Sequence, residues 1–243
     1  MINPLNSFNT NWIKPVEKAV WNQNIPSAMN INVDGRKITS PIRGFGQMWL
    51  RTYRIALPAI SHTPEEVMAL WKEKFSSFWQ TGNSIYFTGG DIQPGETCLI
   101  NLTLPGGIRL VTGAVVIYAD STSFALATVQ GHMFAGWIVF SCYQEGDVFA
   151  QTQALVRPGD LFYELSFRLG IGTAAEDRFW HQTLRNLAKY FHVENTVQQT
   201  NLLVDSHIQW QYFPDLWYNA GIRSGVYLVT SPLRWLVNKF RKS

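Results

Sequence analysis

Val129-Gln130-Gly131-His132-Met133-Phe134-Ala135-Gly136-Trp137 stands midway along a run of strand-like segments and combines two glycines, a histidine and two large aromatic residues. Glycine inside strand-like sequence marks a bend, a bulge or a close backbone approach. A sheet that curves around something needs such points. The stretch therefore reads as the turn and entry between two strands of a curved sheet, with Met133, Phe134 and Trp137 as pocket or core surface.

On either side of it, residues 84–157 alternate short apolar runs with turn signals such as Gly89-Gly90-Asp91, Pro105-Gly106-Gly107, Asp120-Ser121 and Glu145-Gly146-Asp147. Connections this short join antiparallel neighbours, because a parallel crossover needs a dozen or more residues. The spacing predicts a meander of about five or six strands. In its last member Val148, Ala150, Thr152, Ala154 and Val156 share one face, and Phe149, Gln151, Gln153 and Leu155 the other.

Helical signals flank the meander. Thr63-Pro64-Glu65-Glu66 supplies an N-cap, a proline at the first helical position and a capping-box glutamate. Val67, Leu70, Trp71, Phe75, Phe78 and Trp79 then recur at helical spacing. Before that helix, residues 47–55 read as a strand, with Leu50, Thr52 and Arg54 on one side and Trp49, Arg51, Tyr53 and Ile55 on the other. After the meander, residues 161–169 read as helical, and a second helix is predicted to open on the capping box Thr173-Ala174-Ala175-Glu176. Its apolar stripe is Trp180, Leu184, Leu187, Ala188 and Phe191, with Asp177, Arg178, Arg185 and Lys189 opposite. At the start of the chain, residues 14–21 read as one or two helical turns within an arm draped over the domain. Residues 30–38 read as a small hairpin turning at Asp34-Gly35.

The 243 residues are 46% hydrophobic and 15% charged, with ten tryptophans and fifteen phenylalanines, enough to build a core and still line a cavity. The net charge of +3 is too small to point to nucleic acid. Cys98 and Cys142 lie in apolar runs and read as buried, reduced thiols. The opening from Met1 to Asn11 is polar and lacks a signal-peptide pattern, and no apolar run reaches the roughly 18–20 residues of a membrane span. A cytoplasmic protein is the expectation.

The element order is strand, helix, meander, long C-terminal helix. Together with Ser40-Pro41-Ile42-Arg43-Gly44-Phe45-Gly46-Gln47-Met48-Trp49, Gly131-His132-Met133-Phe134-Ala135-Gly136-Trp137 and Glu176-Asp177-Arg178-Phe179-Trp180, it resembles the START-like, or SRPBCC, superfamily of helix-grip domains. It is similar in particular to an uncharacterised bacterial family within or near that superfamily. The resemblance spans residues 38–193. It implies an α+β helix-grip fold, a curved antiparallel sheet wrapped around a long C-terminal helix, with N- and C-terminal extensions at 1–37 and 194–243. It also implies a hydrophobic-ligand cavity between sheet and helix. Members bind lipids, sterols or polyketides, and a minority catalyse cyclisation or dehydration. They share no catalytic set, so no catalytic residue carries over.

The residues expected to meet such a ligand are Trp49, Tyr53, Arg109, Tyr118, Met133, Phe134, Trp137, Trp180 and Leu184. His132 is the candidate for acid–base chemistry, since imidazole titrates near neutrality. Its bland alternative is a strand-end histidine tied to backbone. The nearest acidic residues in sequence are Asp120 and Glu145, and Tyr53 or Tyr118 would serve as an auxiliary donor. Arg51, Arg54 and Arg109 are read either as solvated outer-face residues or as holders of an anionic head group, with Glu164 as a partner for one of them. No ligand spacing indicates a metal, and no glycine-rich strand–loop–helix indicates a nucleotide, so no cofactor is expected.

After Asp215 the chain has no acidic residue, while Arg223, Arg234, Lys239, Arg241 and Lys242 follow among Trp217, Tyr218, Tyr227 and Trp235. Such a tail covers a face of its own domain or of a twin chain. The other reading gives it a peripheral contact with an anionic membrane. The leading expectation is a binding module for an apolar small molecule or lipid. The alternatives are a cyclase or dehydratase using His132, or a membrane-surface scaffold acting through the tail.

Overall fold

The computed structural model describes residues 10–21, 30–103, 107 and 109–231. The described strands are β1 (Met48–Leu57), β2 (Ser84–Phe87), β3 (Thr97–Thr103), β4 (Arg109–Ala119), β5 (Ser123–Thr128), β6 (Phe134–Glu145), β7 (Asp147–Pro158) and β8 (Gln198–Asp205). They make one antiparallel sheet in the order β2-β3-β4-β5-β6-β7-β1-β8. The described helices are α1 (Pro64–Glu73), α2 (Leu161–Arg168), α3 (Ile171–Tyr190) and α4 (Ala220–Val229). The fold is α+β, a curved antiparallel sheet with α3 laid across its concave face in the helix-grip manner.

The meander expected over residues 84–157 is present as β2 to β7, each strand pairing with the next in sequence. β1 lies inside the sheet, with Tyr53 opposite Thr152 of β7 on one side and Gln199 of β8 on the other. The two-residue period sends Tyr53, Ile55, Phe124, Phe140, Ala150 and Thr152 to the concave face, all buried. The Thr63 capping box starts α1 as its sequence predicts: the hydroxyl accepts from Glu66 N–H at 3.3 Å, and Glu66 accepts from Thr63 N–H at 2.9 Å. α1 then lays Val67, Met68 and Trp71 on the sheet. Phe75, Phe124 and Phe140 pack ring to ring at 4.6–5.1 Å, with Trp71 and Trp180 each 5.6 Å from Phe140. Both cysteines are free and buried, and burial pushes the Cys98 thiol up to about 12.

Two glycines of the opening stretch are required by contacts. At Gly131, with φ +94°, a Cβ would stand 2.0 Å from the carbonyl oxygen of Tyr218. At Gly136, with φ +150°, it would stand 2.2 Å from the carbonyl oxygen of Leu155 on the neighbouring strand. Thr128 completes the arrangement: its hydroxyl accepts from Gly136 N–H at 3.0 Å and lies 3.1 Å from Gly136 O.

Three local expectations are corrected. Residues 14–21 form no helix; Lys18 bridges to Lys37, and Ala19 is buried with Val115 and Val129 on the convex face. So short a helix is marginal, and contact with the sheet outweighs it. Residues 30–38 make a turn instead of a hairpin, with Gly35 at φ +72° and Val33 packed where Gly113 leaves room. The second C-terminal helix starts earlier than its capping box suggests, at Ile171 behind Gly170 (φ +79°); the Thr173 hydroxyl donates to Gly170 O, and Glu176 turns inward.

The chain beyond α3 is fastened to the sheet. β8 pairs with β1, and the wholly buried Arg157 donates to Gly46 O at 2.6 Å and His207 O at 2.9 Å and pairs with Asp205. A 3-10 segment, Trp210–Tyr218, sets Trp210 and Phe213 edge-on to Phe45 at 5.3 and 6.4 Å. Arg234, Trp235, Lys239, Arg241 and Lys242 lie outside the described residues.

Candidate functional site

Between the concave face and helices α2 and α3 lies a cavity of about 410 Å³. Its floor is β-sheet: Ala114, Leu126, Ile138, Ala154 and Val156 present small or branched side chains from four strands. Its roof is Phe167 of α2 with Ala175, Phe179 and Trp180 of α3. Thr103, Ile171 and Arg178 line it and are exposed, which places its mouth between the end of β3 and the start of α3. The small floor residues explain the space: alanines stand where larger side chains would fill the gap under α3.

The lining also includes buried polar residues, among them His132, Glu176 and Tyr163. Glu176 is the most unusual. It is a buried carboxyl 2.7 Å from the guanidinium of Arg51, which is itself buried. The other arm of Arg51 reaches Asp177 at 2.5 Å, and Asp177 also accepts from Tyr53 O–H at 2.7 Å and Gln199 Nε2 at 2.8 Å. One guanidinium thus serves two carboxyl groups. Burial, with Asp177 adding to it, outweighs the attraction of Arg51 and raises Glu176 from its ordinary 4.5 to about 7.

That shift predicts a pH dependence. The folded state holds a proton on Glu176 that the unfolded chain releases near 4.5, so stability from this group is full below 4.5 and lost as pH rises to about 7. Replacing it, Glu176→Gln, should remove this fall. Denaturant titrations across that range are expected to show the wild type losing ground to the variant as pH rises. A difference independent of pH would mean that Glu176 titrates as an ordinary carboxylate.

His132 borders the cavity and is buried. Its Nδ1 accepts from Phe134 N–H at 3.0 Å, so the proton of the neutral ring sits on Nε2. Burial depresses the imidazole to about 4, which keeps it neutral near pH 7. Neither acidic residue near it in sequence is engaged with it. Asp120 is taken up by Tyr118, Thr122 and Ser123, and Glu145 is exposed 3.9 Å from Arg54.

The cavity brings together Met133, Phe134 and Trp180 with His132. Leu184 is one turn beyond, buried in the core, and Tyr53 belongs to the Arg51 cluster on the same face. Trp49 is half-buried between Val156 and Leu203 in the sheet register. Arg109 is exposed at the start of β4, while Tyr118 is at that strand's other end against Trp12, ring centres 4.7 Å apart. Trp137 is paired with Leu155 and so points to the convex face. Arg54 is exposed and donates to Gln198. Glu164 pairs with Arg168 at 2.6 Å instead of with any of the three strand arginines. Sequence reasoning missed Glu176 by assigning it to a helix cap. The signal available was its spacing, four residues before Trp180 and eight before Leu184, which continues the buried stripe. Among the described residues no cluster of His, Cys, Asp or Glu is arranged to hold a metal ion.

No family model matches the chain, and no curated protein matches it. Among solved structures it is similar to protein Ms6760 from Mycobacterium smegmatis, with a TM-score of 0.42 and 10% identity over 58% of this chain and 89% of that one. It is similar to the KanY protein (ms6282), with a TM-score of 0.44 and 14% identity over 58% and 96% of the two chains. The di-domain ARO/CYC StfQ from the steffimycin biosynthetic pathway gives 0.44 and 9% identity over 60% of this chain and 50% of its own. At these values the functional reading rests on the chain's own residues.

Proposed function

We propose that the protein binds an apolar small molecule in the cavity under α2 and α3. The observation that carries this is the cavity itself: about 410 Å³, walled mainly by aliphatic and aromatic side chains, with an opening beside α3. Sites of roughly 300–1,000 Å³ with an apolar lining and a few placed polar groups are what small-molecule binding uses. Glu176 and His132 are polar residues of an otherwise apolar lining, so the best fit is a largely hydrocarbon or aromatic compound bearing a hydroxyl or carbonyl group.

Solvent extraction of purified protein followed by mass spectrometry should recover a bound apolar compound, whatever its identity. The uncharged fluorophore N-phenyl-1-naphthylamine should bind the stripped protein. Ala175→Phe puts a ring into the space from α3 and is expected to weaken fluorophore binding about ten-fold or more, at unchanged thermal stability. Equal binding by the variant would sink the reading.

A second reading, a cyclase or dehydratase, draws on one observation: His132 borders the cavity as a neutral donor. Neither Tyr53 nor Tyr118 lines the cavity with it, so Glu176 is the partner that reading would use. Turnover lost in His132→Gln with fluorophore binding intact would favour it over simple binding.

A further inference from the structure

Helix α4 is built inside out. Its buried residues are the small Ala220 and Ser224, which let it lie close to β4. Ile222, Val226 and Val229 fall on one outward face, at spacings of four and three, and are 45%, 58% and 80% exposed. Trp217, just before the helix, is 80% exposed. A surface helix ordinarily shows the opposite pattern.

The orientation is fixed by hydrogen bonds and is not a matter of loose packing. Asn219 caps the helix by accepting from Ile222 N–H at 2.9 Å and donates to Asp160 at 2.7 Å; Ala220 N–H donates to Gly131 O at 2.9 Å. Buried Asn32 donates to Ser224 Oγ at 3.1 Å and to Val111 O at 2.8 Å, and accepts from Arg223 Nε at 3.0 Å. The apolar face therefore points away from the domain for as long as the domain is folded.

The charge of the chain says what fits there. From residue 216 onward the sequence holds Arg223, Arg234, Lys239, Arg241 and Lys242 and not one acidic residue. An exposed tryptophan and branched aliphatic side chains, in a stretch of sequence with cations and no acidic residue, match the boundary of an anionic bilayer, where apolar groups enter the acyl edge and cations meet phosphate and carboxylate head groups. No described helix is long and apolar enough to cross a membrane, so the contact is with the surface.

We propose that the α4 face, with Trp217, docks the protein on an anionic lipid bilayer. The proposal is independent of the cavity: it stands whether or not a ligand binds under α3.

Flotation of the full chain tests it, using phosphatidylcholine vesicles with and without an equal amount of phosphatidylserine. Binding is expected only with phosphatidylserine, and Val226→Asp with Val229→Asp should reduce it about ten-fold or more. Both positions are exposed, so the variant should melt at the wild-type temperature. The proposal would be overturned by no flotation with anionic vesicles, by equal flotation of the variant, or by a wild-type dimer in light scattering that the variant converts to monomer without any vesicle binding. A variant that melts well below the wild type would overturn it too, because the face would then be covered within the chain.

Discussion

Replacing Arg51 with methionine is expected to cost about 3–5 kcal/mol of folding stability, the usual consequence of removing one partner from a buried ion pair. The guanidinium lost is the cation beside both Glu176 and Asp177, at 2.7 and 2.5 Å. Asp177 retains Tyr53 and Gln199 as donors, whereas Glu176 is left in the apolar cavity wall with Trp180 as its neutral partner. Its folded pKa, already raised to about 7, should rise further, so the window over which stability falls with increasing pH widens upward. Chemical denaturation at about pH 5 and about pH 8 should therefore show a larger loss at the higher pH. Adding Glu176→Leu should restore most of the loss, because an apolar pair of similar volume needs no compensation. If Arg51→Met is as stable as the wild type at the higher pH, the cluster does not hold β1 to α3.

Gly136→Ala is expected to be as damaging by a different route. The added methyl would meet the Leu155 carbonyl at 2.2 Å and Val156 Cα at 2.9 Å, and both obstacles are backbone of the paired strand. Relief requires β6 and β7 to separate or slip at the point where Thr128 also binds Gly136. A loss of about 3 kcal/mol or more, or failure to accumulate as soluble protein, is the expected outcome. Gly35→Ala is the control: it has a positive φ of +72° with nothing within 4 Å, so it carries only the conformational penalty of about 1 kcal/mol. Equal melting temperatures for the two variants would show that close approach at Gly136 is not limiting.

Much of the architecture was legible because it depends on local periodicity. Alternation in 148–156, the capping box at Thr63 and the turn signals between strands each act over a few residues, and each leads to the observed element. The place of β8 was not legible, since Gln198–Asp205 is exposed along most of its length and carries little of the burial pattern that marks a strand. The cavity was foreseen as a space between sheet and helix, but its polar wall was not. Arg51 and Glu176 look like ordinary charged residues in sequence, and only the sheet's curvature brings strand β1 and helix α3 close enough to bury them together. Trp137 shows the same limit from the other side: adjacent to the cavity in sequence, it is turned away by the two-residue period of β6.

The interior position of β1 has a consequence for how the chain reaches this state. Leu50 faces Leu155 and Leu202, roughly a hundred and a hundred and fifty positions downstream, so β1, first in sequence among the described strands, is among the last to be paired on both edges. Pairings of such long range close slowly, because loop entropy must be overcome before any contact rewards it. Until β7 and β8 arrive, β1 offers two open edges and a row of apolar side chains to whatever lies nearby. Refolding from denaturant should accordingly be slow and sensitive to protein concentration, and a nascent chain stalled before residue 198 would keep one edge of β1 open.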